Sequence, residues 1–161
     1  MSFIIRDSTE DDISLLTDLI RESFKDVAER FNLTAYNAPS HPSNCTEDWI
    51  IKAIQKGNKY YILEYQGVPC GCVALEEANS EVCYLERLSV LPNYRIKGFG
   101  KALVDHIIHK AKKINAKRIE IGIIAENLEL KNWYIKQGFI ERDIIKYEHL
   151  PFKVLFLVKV L

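Results

Sequence analysis

The residues best placed to do chemistry in this sequence lie in a short basic segment that contains two glycines. An apolar stretch, Val82 to Leu91, ends at Pro92, and the segment follows as Arg95, Ile96, Lys97, Gly98, Phe99, Gly100, Lys101 and Ala102 before a helical pattern begins. A strand that turns into a helix in this way directs several unpaired backbone N–H groups at one point, where the helix dipole adds about half a positive charge. The sequence therefore predicts an anion site, with glycines that let the main chain approach the anion closely.

Two phosphate-binding motifs are excluded by their spacing. The dinucleotide fingerprint needs a third glycine three residues after the second, and Leu103 holds that position. The Walker A loop needs four residues between its glycines, followed by Gly-Lys-Ser/Thr. Here one residue separates Gly98 from Gly100, and Ala102 follows Lys101. The segment therefore belongs to another kind of anion cradle.

The remaining pattern is a basic residue, two spacers, Gly, one spacer and Gly. It resembles the pyrophosphate-binding segment of the GCN5-related N-acetyltransferases, the GNAT family, which use acetyl-CoA. The stretch from Leu85 to Pro92 is similar to the fourth strand of that family and its proline-containing turn. A second family motif, Asn-x-x-Ala-x-x-x-Tyr-x-x-x-Gly-Phe, is matched by Asn127, Leu130, Tyr134, Gly138 and Phe139. Leu130 replaces the small residue of the motif, so we expect a narrower groove beside the lower arm of the cofactor.

The resemblance implies that acetyl-CoA is the acyl donor. Backbone amides from Ile96 through Ala102 would hold its pyrophosphate, with charge added by Arg95 or Lys97, and its pantetheine arm would lie along the fourth strand. Asn127 would contact the cofactor, cap its own helix, or do both. The cofactor-binding residues predicted in this way are Leu88, Ser89, Val90, Arg95, Ile96, Lys97, Gly98, Phe99, Gly100, Lys101, Ala102, Asn127 and Tyr134.

Acyl transfer to an amine also needs an acid, a base and an oxyanion site. Tyr134 holds the acid position of the family, where a phenol (pKa ~10) can protonate a departing thiolate (pKa ~8.5). The alternative for this tyrosine is a half-buried packing residue. An amide within Leu88 to Val90 would stabilise the oxyanion, a contribution typically worth ~3 kcal/mol.

Glu86 is the predicted catalytic base. Strand alternation places it on the face of Tyr84, Leu88 and Val90, and apolar surroundings raise the pKa of a carboxyl group. Two alternatives stay open: an ion pair between Glu86 and a neighbouring strand, or a chain of water molecules that serves as the base, as in some members of the family.

The loop from Asn32 to Asn44 is the candidate for binding the acceptor. It contains two prolines and carries Tyr36, Asn37 and His41, which are the predicted substrate-binding residues. One interpretation is a surface connection whose Asn and Ser side chains serve their own turns. The other follows from the resemblance, because the first two helices of the family and their connection usually wall the acceptor pocket. The acceptor itself is expected to be a small-molecule or peptide amine.

Composition limits the other partners. The chain of 161 residues carries 22 basic and 22 acidic side chains, and this balance argues against nucleic-acid binding. No segment approaches the ~20 apolar residues needed to cross a bilayer, and the first residues do not resemble a signal peptide, so we expect a cytoplasmic protein without membrane contact. Four scattered cysteines and four histidines show no ligand spacing, and no metal site is predicted.

The hydrophobic patterns predict one α/β domain over residues 1–161 with an α+β-like mixed sheet. Strands at 59–65 and 68–76 form a hairpin, and a third antiparallel strand leads into the glycine segment. The following helix and the strand at 117–125 predict a right-handed parallel crossover at the acetyl-CoA site. The sheet is thus expected to be mostly antiparallel, with helices on both faces. The apolar strand Val154 to Val158 is expected to be paired, within the sheet or with the second subunit of a homodimer.

Two functions follow from these observations. The first is an acetyl-CoA dependent N-acetyltransferase in which the amine attacks the thioester directly in a ternary complex. The second is a non-catalytic module that binds or senses acyl-CoA. The first is favoured because both motifs and the candidate acid occur together.

Overall fold

The computed structural model describes residues 2–161, which form seven strands and four α-helices. In chain order these are β1 (Phe3–Asp7), α1 (Ile13–Arg30), α2 (Glu47–Lys56), β2 (Lys59–Tyr65), β3 (Val68–Glu77), β4 (Val82–Val90), α3 (Phe99–Lys113), β5 (Arg118–Ile124), α4 (Leu128–Lys136), β6 (Ile140–Lys146) and β7 (Lys153–Val160).

All seven strands belong to one sheet with the order β1-β2-β3-β4-β5-β7-β6. Every neighbouring pair is antiparallel except β4 and β5, which are parallel and are joined through α3. This confirms the predicted mixed sheet and its crossover after the glycine segment. β7 pairs with β5 on one side and β6 on the other, so its apolar residues find their partners within the sheet.

The two faces of the sheet are covered differently. On one face, α3 and α4 pack over residues from β2 to β7, in a core that includes Leu75, Leu85, Leu103, Ile107, Ile119, Ile121, Tyr134, Leu155 and Leu157. On the other face, α1 and α2 cover a smaller core whose strand residues are Tyr60, Ile62, Cys72 and Ala74 from β2 and β3. Farther along this face, Ile124 at the end of β5 is covered by Ala28 of α1 and by Leu33 and Ala38, and other residues of β4, β5, β7 and β6 border a cleft.

The start of α1 is fixed by a small polar network. Thr9 and Asp12 form a reciprocal capping box on the 3-10 turn Glu10–Asp12, which leads directly into α1. Arg6 on β1 then holds Asp12 with two hydrogen bonds, of 2.8 and 3.0 Å, and Glu64 on β2 with a third of 2.9 Å. The hydrogen bonds from Arg6 lower the pKa of Asp12 to about 2 although burial opposes this. The network ties the start of α1 to β1 and β2.

The four cysteines are buried and unpaired, and they act as small apolar side chains of the core. Within residues 2–161, no three His, Cys, Asp or Glu side chains come together as a metal site would require. None of the helices in that range combines the length and the apolar character needed to cross a bilayer.

A β-bulge in β4 changes the predicted alternation of its side chains. Cys72 of β3 lies opposite Ser89, but Ala74 lies opposite Glu86, so two residues of β4 face one residue of β3. Arg87, in the bulge, has φ of +51°. Bulges of this kind bend a strand and increase its twist. Here the bend falls in the strand that leads into the predicted anion site.

Because of the bulge, the prediction that Glu86 shares a face of β4 with Leu88 and Val90 is wrong. Glu86 shares a face with Tyr84, as predicted, and lies beside α2. Leu88 and Val90 instead pack into the core beneath α3, on the opposite face. The physical reason is the extra residue, because a single insertion reverses which face each later side chain occupies.

Gly71 of β3 lies opposite Val90, next to the bulge. A Cβ at Gly71 would lie 2.7 Å from the backbone oxygen of Ser89 and 3.2 Å from Leu103 Cδ1. Backbone atoms cannot move aside as the end of a flexible side chain can. The bulge therefore requires glycine at this position.

We expect Gly71→Ala to lower the free energy of unfolding by ~2 kcal/mol, within the usual cost of overpacking a core. Urea denaturation of the variant measures this loss. Gly122→Ala is the matched control, because its Cβ would meet only the side chains of Phe156 and Val154, at 3.3 and 3.4 Å. Equal stabilities for the two variants would contradict the proposed role of Gly71.

Candidate active site

The predicted anion site is an exposed turn at the start of α3. Pro92 to Tyr94 form a single 3-10 turn, Ile96 has φ of +65°, and Gly98 has φ of +82° at the N-cap of α3. No side chain from residues 2–161 caps this helix, and a Cβ at Gly98 would meet nothing within 4 Å. The first backbone N–H groups of α3 therefore lack intrahelical partners and face open space. This geometry suits an anion held by the main chain.

Arg95 and Lys97 are placed differently in this turn. The Arg95 guanidinium donates to Asp26 Oδ2 at 2.6 Å, to the Ser23 carbonyl at 2.6 Å and to the Val90 carbonyl at 3.0 Å. It thus fastens the turn to α1 and to the end of β4. Of the two basic residues predicted to add charge, only the exposed Lys97 makes no ion pair within residues 2–161.

The parallel pairing of β4 with β5 is short. It joins Val82, Cys83 and Tyr84 to Arg118, Ile119 and Glu120, and then the strands separate. From Leu85 onward, β4 pairs only with β3 on its other side. The backbone groups of the β4 edge that includes Leu88 to Val90 thus have no strand partner facing β5 within the described chain. An extended ligand can add to such an edge like a further strand.

Tyr134 lies on α4, on the α3 side of this separation, and is 4% exposed. Its ring packs edge-to-face on Trp133 and Phe139, with centroid distances of 4.9 and 5.4 Å. Burial raises the pKa of its hydroxyl above the usual value. That hydroxyl makes no hydrogen bond to any of residues 2–161, so it is available to an incoming group.

Asn127 caps α4, because its side-chain oxygen accepts a hydrogen bond from the Leu130 backbone N–H at 3.3 Å. The capping role left open by the sequence is therefore present. Leu130 is half-buried against the core beneath α3. A cofactor contact by Asn127 stays a prediction.

Glu86 lies on the other face of the sheet, next to a second carboxylate. Its Oε2 is 3.5 Å from Asn58 Nδ2, and Glu76 of β3, which ion-pairs with Lys56, is a neighbouring negative charge. Burial, followed by the charge of Glu76, raises the pKa of Glu86 to about 7. Arg87 does not neutralise it by an ion pair, since that guanidinium donates to the Tyr60 hydroxyl at 2.7 Å and lies over Trp49. Such a carboxyl group can exchange a proton near neutral pH.

Glu86 opens into a cleft of about 450 Å³, which we call the sheet cleft. Its other charged residues are Arg118 and Glu120 of β5 and Arg142 of β6, and Phe156 of β7 contributes an aromatic wall. The complete lining is Asn79, Val82, Tyr84, Leu85, Glu86, Arg118, Glu120, Ile121, Gly122, Arg142 and Phe156.

Sequence reasoning missed the residues of this cleft beyond β4. Arg118, Glu120, Arg142 and Phe156 are scattered over three strands, which meet only because β7 lies between β5 and β6. One signal was present in the sequence. Arg118, Glu120 and Gly122 alternate with isoleucines, a pattern that predicts one polar face on β5.

The loop residues predicted to bind the acceptor do not line the sheet cleft. The Asn37 side chain accepts from the Thr34 backbone N–H at 2.7 Å and donates to the Asn32 carbonyl at 2.9 Å, so it holds its own turn. His41 is buried against Phe24, and burial lowers its pKa to about 4. Tyr36 is 96% exposed. These contacts support the interpretation of the loop as a connection that holds its own turns, and Leu33 and Ala38 of the loop pack on Ile124 of β5. A role of the loop in acceptor binding stays a prediction.

Comparisons with known proteins agree with this geometry. Residues 16–139 match the model of the family described as Acetyltransferase (GNAT) family. An uncharacterized N-acetyltransferase of Methanocaldococcus jannaschii is 24% identical over 90% of this chain, and a second, YjgM of Escherichia coli, is 28% identical over 62%. The chain spans 64% and 53% of the lengths of these two relatives.

A solved structure gives the same result for the fold. A GNAT family acetyltransferase from Elizabethkingia anophelis, crystallised with acetyl-CoA bound, superposes with a TM-score of 0.74 at 19% identity. The match covers 99% of this chain and 98% of the other. At this identity, the likeness establishes the fold.

The Glu86–Glu76 pair predicts a pH dependence of stability. Folding raises the pKa of Glu86 from 4.5 to about 7, so the folded protein holds more protons than the unfolded chain between these values. The contribution of Glu86 to stability therefore falls as pH rises through this window and levels off above it, while the contribution of His41, whose pKa folding lowers to about 4, changes in the opposite direction. Glu86→Gln has no carboxyl group at this position, so it does not lose stability in this way. The free energy of unfolding of the variant minus that of the native protein should therefore be larger at pH 8 than at pH 5.

Urea denaturation at the two pH values measures the effect, and the exposed Glu77→Gln serves as control. A difference between native protein and Glu86→Gln that is the same at both pH values would contradict the raised pKa.

Proposed function

Since the chain belongs to the GNAT family of acetyltransferases, we propose that it transfers the acetyl group of acetyl-CoA to a primary amine. The observation that carries this proposal is the gap between β4 and β5. It has an uncapped helix start at one end, Tyr134 on one side and Glu86 on the other.

The residues around the gap suit a CoA thioester. The amides from Ile96 through Lys101 would hold the pyrophosphate, with Lys97 adding positive charge, and the open edge at Leu88 to Val90 would hold the pantetheine amides. The predicted amide of Ala102 is not free, because it donates to the Gly98 carbonyl at 3.0 Å within α3. Space at the start of α3 is tight, because a Cβ at Gly100 would lie 3.1 Å from the Trp133 ring. The absence of a side chain at Gly100 therefore leaves room for the cofactor. When bound, acetyl-CoA supplies an activated carbonyl carbon and a thiolate leaving group.

The chain contributes a base, an acid and an oxyanion site to this reaction. Glu86 takes the proton from the amine nitrogen as its bond to the carbonyl carbon forms. A backbone N–H on the open β4 edge stabilises the charge that develops on the carbonyl oxygen. Tyr134 gives its proton to the sulfur as the carbon–sulfur bond breaks. The proton on Glu86 returns to Tyr134 through water, so a neutral amine yields an amide and a free thiol with no net proton change.

The burial of the cysteines supports direct transfer without an acyl-enzyme. All four are buried, and burial raises the pKa of each thiol, to about 12 for Cys72. A thiol with a raised pKa is a poor nucleophile at neutral pH. The amine and the thioester would therefore react in a ternary complex.

The second candidate is a non-catalytic module that binds acyl-CoA. The observation that favours it is the packing of Tyr134 between Trp133 and Phe139, which is a sufficient structural role for a tyrosine. Both candidates need the same cofactor site, and they differ in what the Tyr134 hydroxyl does.

Cofactor binding is the first expectation. A hundredfold excess of acetyl-CoA or CoA over its dissociation constant should stabilise the protein by ~2.7 kcal/mol, whereas ATP should not. Thermal melts measure this shift. Lys97→Glu should reduce it, while Lys113→Glu at the other end of α3 should leave it unchanged. No shift with either CoA compound would exclude both candidate functions.

The role of Tyr134 is tested by removing its hydroxyl. We expect Tyr134→Phe to lower kcat by ~10² to 10⁴, the usual range for a lost acid, and to keep the thermal shift with acetyl-CoA. Thiol release with an accepted amine measures the rate. Tyr61→Phe, another buried tyrosine of the same core, is the control. A full rate in Tyr134→Phe would remove the acid from the mechanism.

A further inference from the structure

The far wall of the sheet cleft carries two arginines around one buried carboxylate. Glu120 is 6% exposed, and each of its oxygens accepts from a different guanidinium. Arg118 Nε donates to Glu120 Oε2 at 2.9 Å, and Arg142 Nη1 donates to Glu120 Oε1. A buried carboxylate held in this way fixes both arginine side chains in place.

Arg142 reaches this position because of a second bulge. Glu141 pairs with Leu157 and Asp143 with Phe156, so Arg142 is left over in β6 and turns toward the cleft. Its guanidinium lies over the Phe156 ring, 5.2 Å from the centroid. Its Nε donates to Asp143 at 3.0 Å, on the exposed side.

Arg118 and Arg142 keep free N–H donors after making these hydrogen bonds. Within residues 2–161, no acceptor contacts either terminal nitrogen of Arg118 or Nη2 of Arg142. The two side chains are 41% and 42% exposed, while Glu120 is almost fully covered. Asp143, 56% exposed, ion-pairs with Arg142 Nε at 3.0 Å, so the two arginines and two carboxylates of this wall balance in formal charge. What the wall offers an anion is therefore the set of free N–H donors on Arg118 and Arg142.

The opposite wall of the same cleft holds Glu86, the proposed base. The cleft thus combines a proton acceptor on β4 with N–H donors on β5 and β6, and Tyr84 and Phe156 add aromatic surface to its lining. A ligand that carries both an amine and an anionic group matches this arrangement, with the anionic group at the free N–H donors and the amine toward Glu86.

We propose that the acceptor is a small amine that also carries a carboxylate, such as an amino acid or a short peptide. Its amine lies toward Glu86, and its carboxylate is bound by Arg118 and Arg142. This inference rests on the proposed acetyl transfer and names its substrate class. Planar guanidinium groups suit this recognition because they offer paired N–H donors that match the two oxygens of a carboxylate.

The test compares two panels of acceptors with the full-length protein and acetyl-CoA. One contains the α-amino acids and short peptides, and the other contains their decarboxylated or C-terminally amidated counterparts, such as tyramine beside tyrosine. Thiol release should favour the carboxylate form of an accepted pair by ~10- to 100-fold in kcat/KM, the usual effect of a hydrogen bond to a charged group. Melts with CoA and the same compounds give a second readout, since only carboxylate forms should add a further shift.

A paired variant connects this preference to the arginines. Glu120→Gln combined with Arg142→Met removes one charge of each sign and leaves no unpaired buried carboxylate. It should raise KM for the carboxylate acceptor at least tenfold with little change in kcat, and Arg142→Lys with Glu120 intact should recover part of the loss. The acetyl-CoA melt shows whether each variant is folded.

The outcomes separate this inference from the proposed function. Acetylation of the carboxyl-free amines at equal or higher kcat/KM would overturn the inference and leave acetyl transfer standing. Acetylation of neither panel by protein that binds acetyl-CoA would overturn both. A carboxylate preference that survives in the paired variant would place the anion elsewhere and overturn the assignment to Arg142.

Discussion

The separation of β4 from β5 is the feature on which the rest of the candidate site depends. The two strands pair only as far as Tyr84 and Glu120, after which the bulge at Arg87 bends β4 away. The bulge is possible because Gly71 lets the backbone of Ser89 approach closely. A continuous parallel ladder would satisfy the β4 edge with β5 and would leave no backbone groups for a ligand.

This separation also matters because the two candidate proton-transfer groups lie on opposite faces of one sheet. Tyr134 belongs to the core beneath α3 and α4, and Glu86 borders the cleft on the face of α1 and α2. Under the proposed function, a ligand would meet both groups through the gap between β4 and β5. The uneven cover by helices then decides access, because the main core beneath α1 and α2 draws its buried strand residues from β2 and β3, and a small cluster with Ala28 covers Ile124 at the end of β5.

Two glutamates of the sheet cleft show how partners set the chemistry of a side chain. Glu86 faces a second carboxylate, Glu76, and its pKa rises to about 7 with burial as the main cause. Glu120 is more deeply buried, but each of its oxygens accepts from an arginine. The first can exchange protons near neutral pH, whereas the second holds cationic groups in position. Neither role can be read from the residue type, since both are glutamates on strands of the same sheet.

The sequence by itself determined the features that depend on neighbours along the chain. Hydrophobic periodicity indicated the strands and helices, and the glycine spacing after β4 indicated an anion site, because such a turn and the helix start after it are local structures. The Asn127 cap follows from the same kind of local signal. The tertiary structure decided what depends on distant residues. It turned Arg95 toward Asp26, assigned Asn37 and His41 to holding their own loop, and placed Leu88 and Val90 on the face opposite Glu86. It also assembled Arg118, Glu120 and Arg142 from two strands, because strand order and bulges are set by long-range pairing that no local pattern encodes.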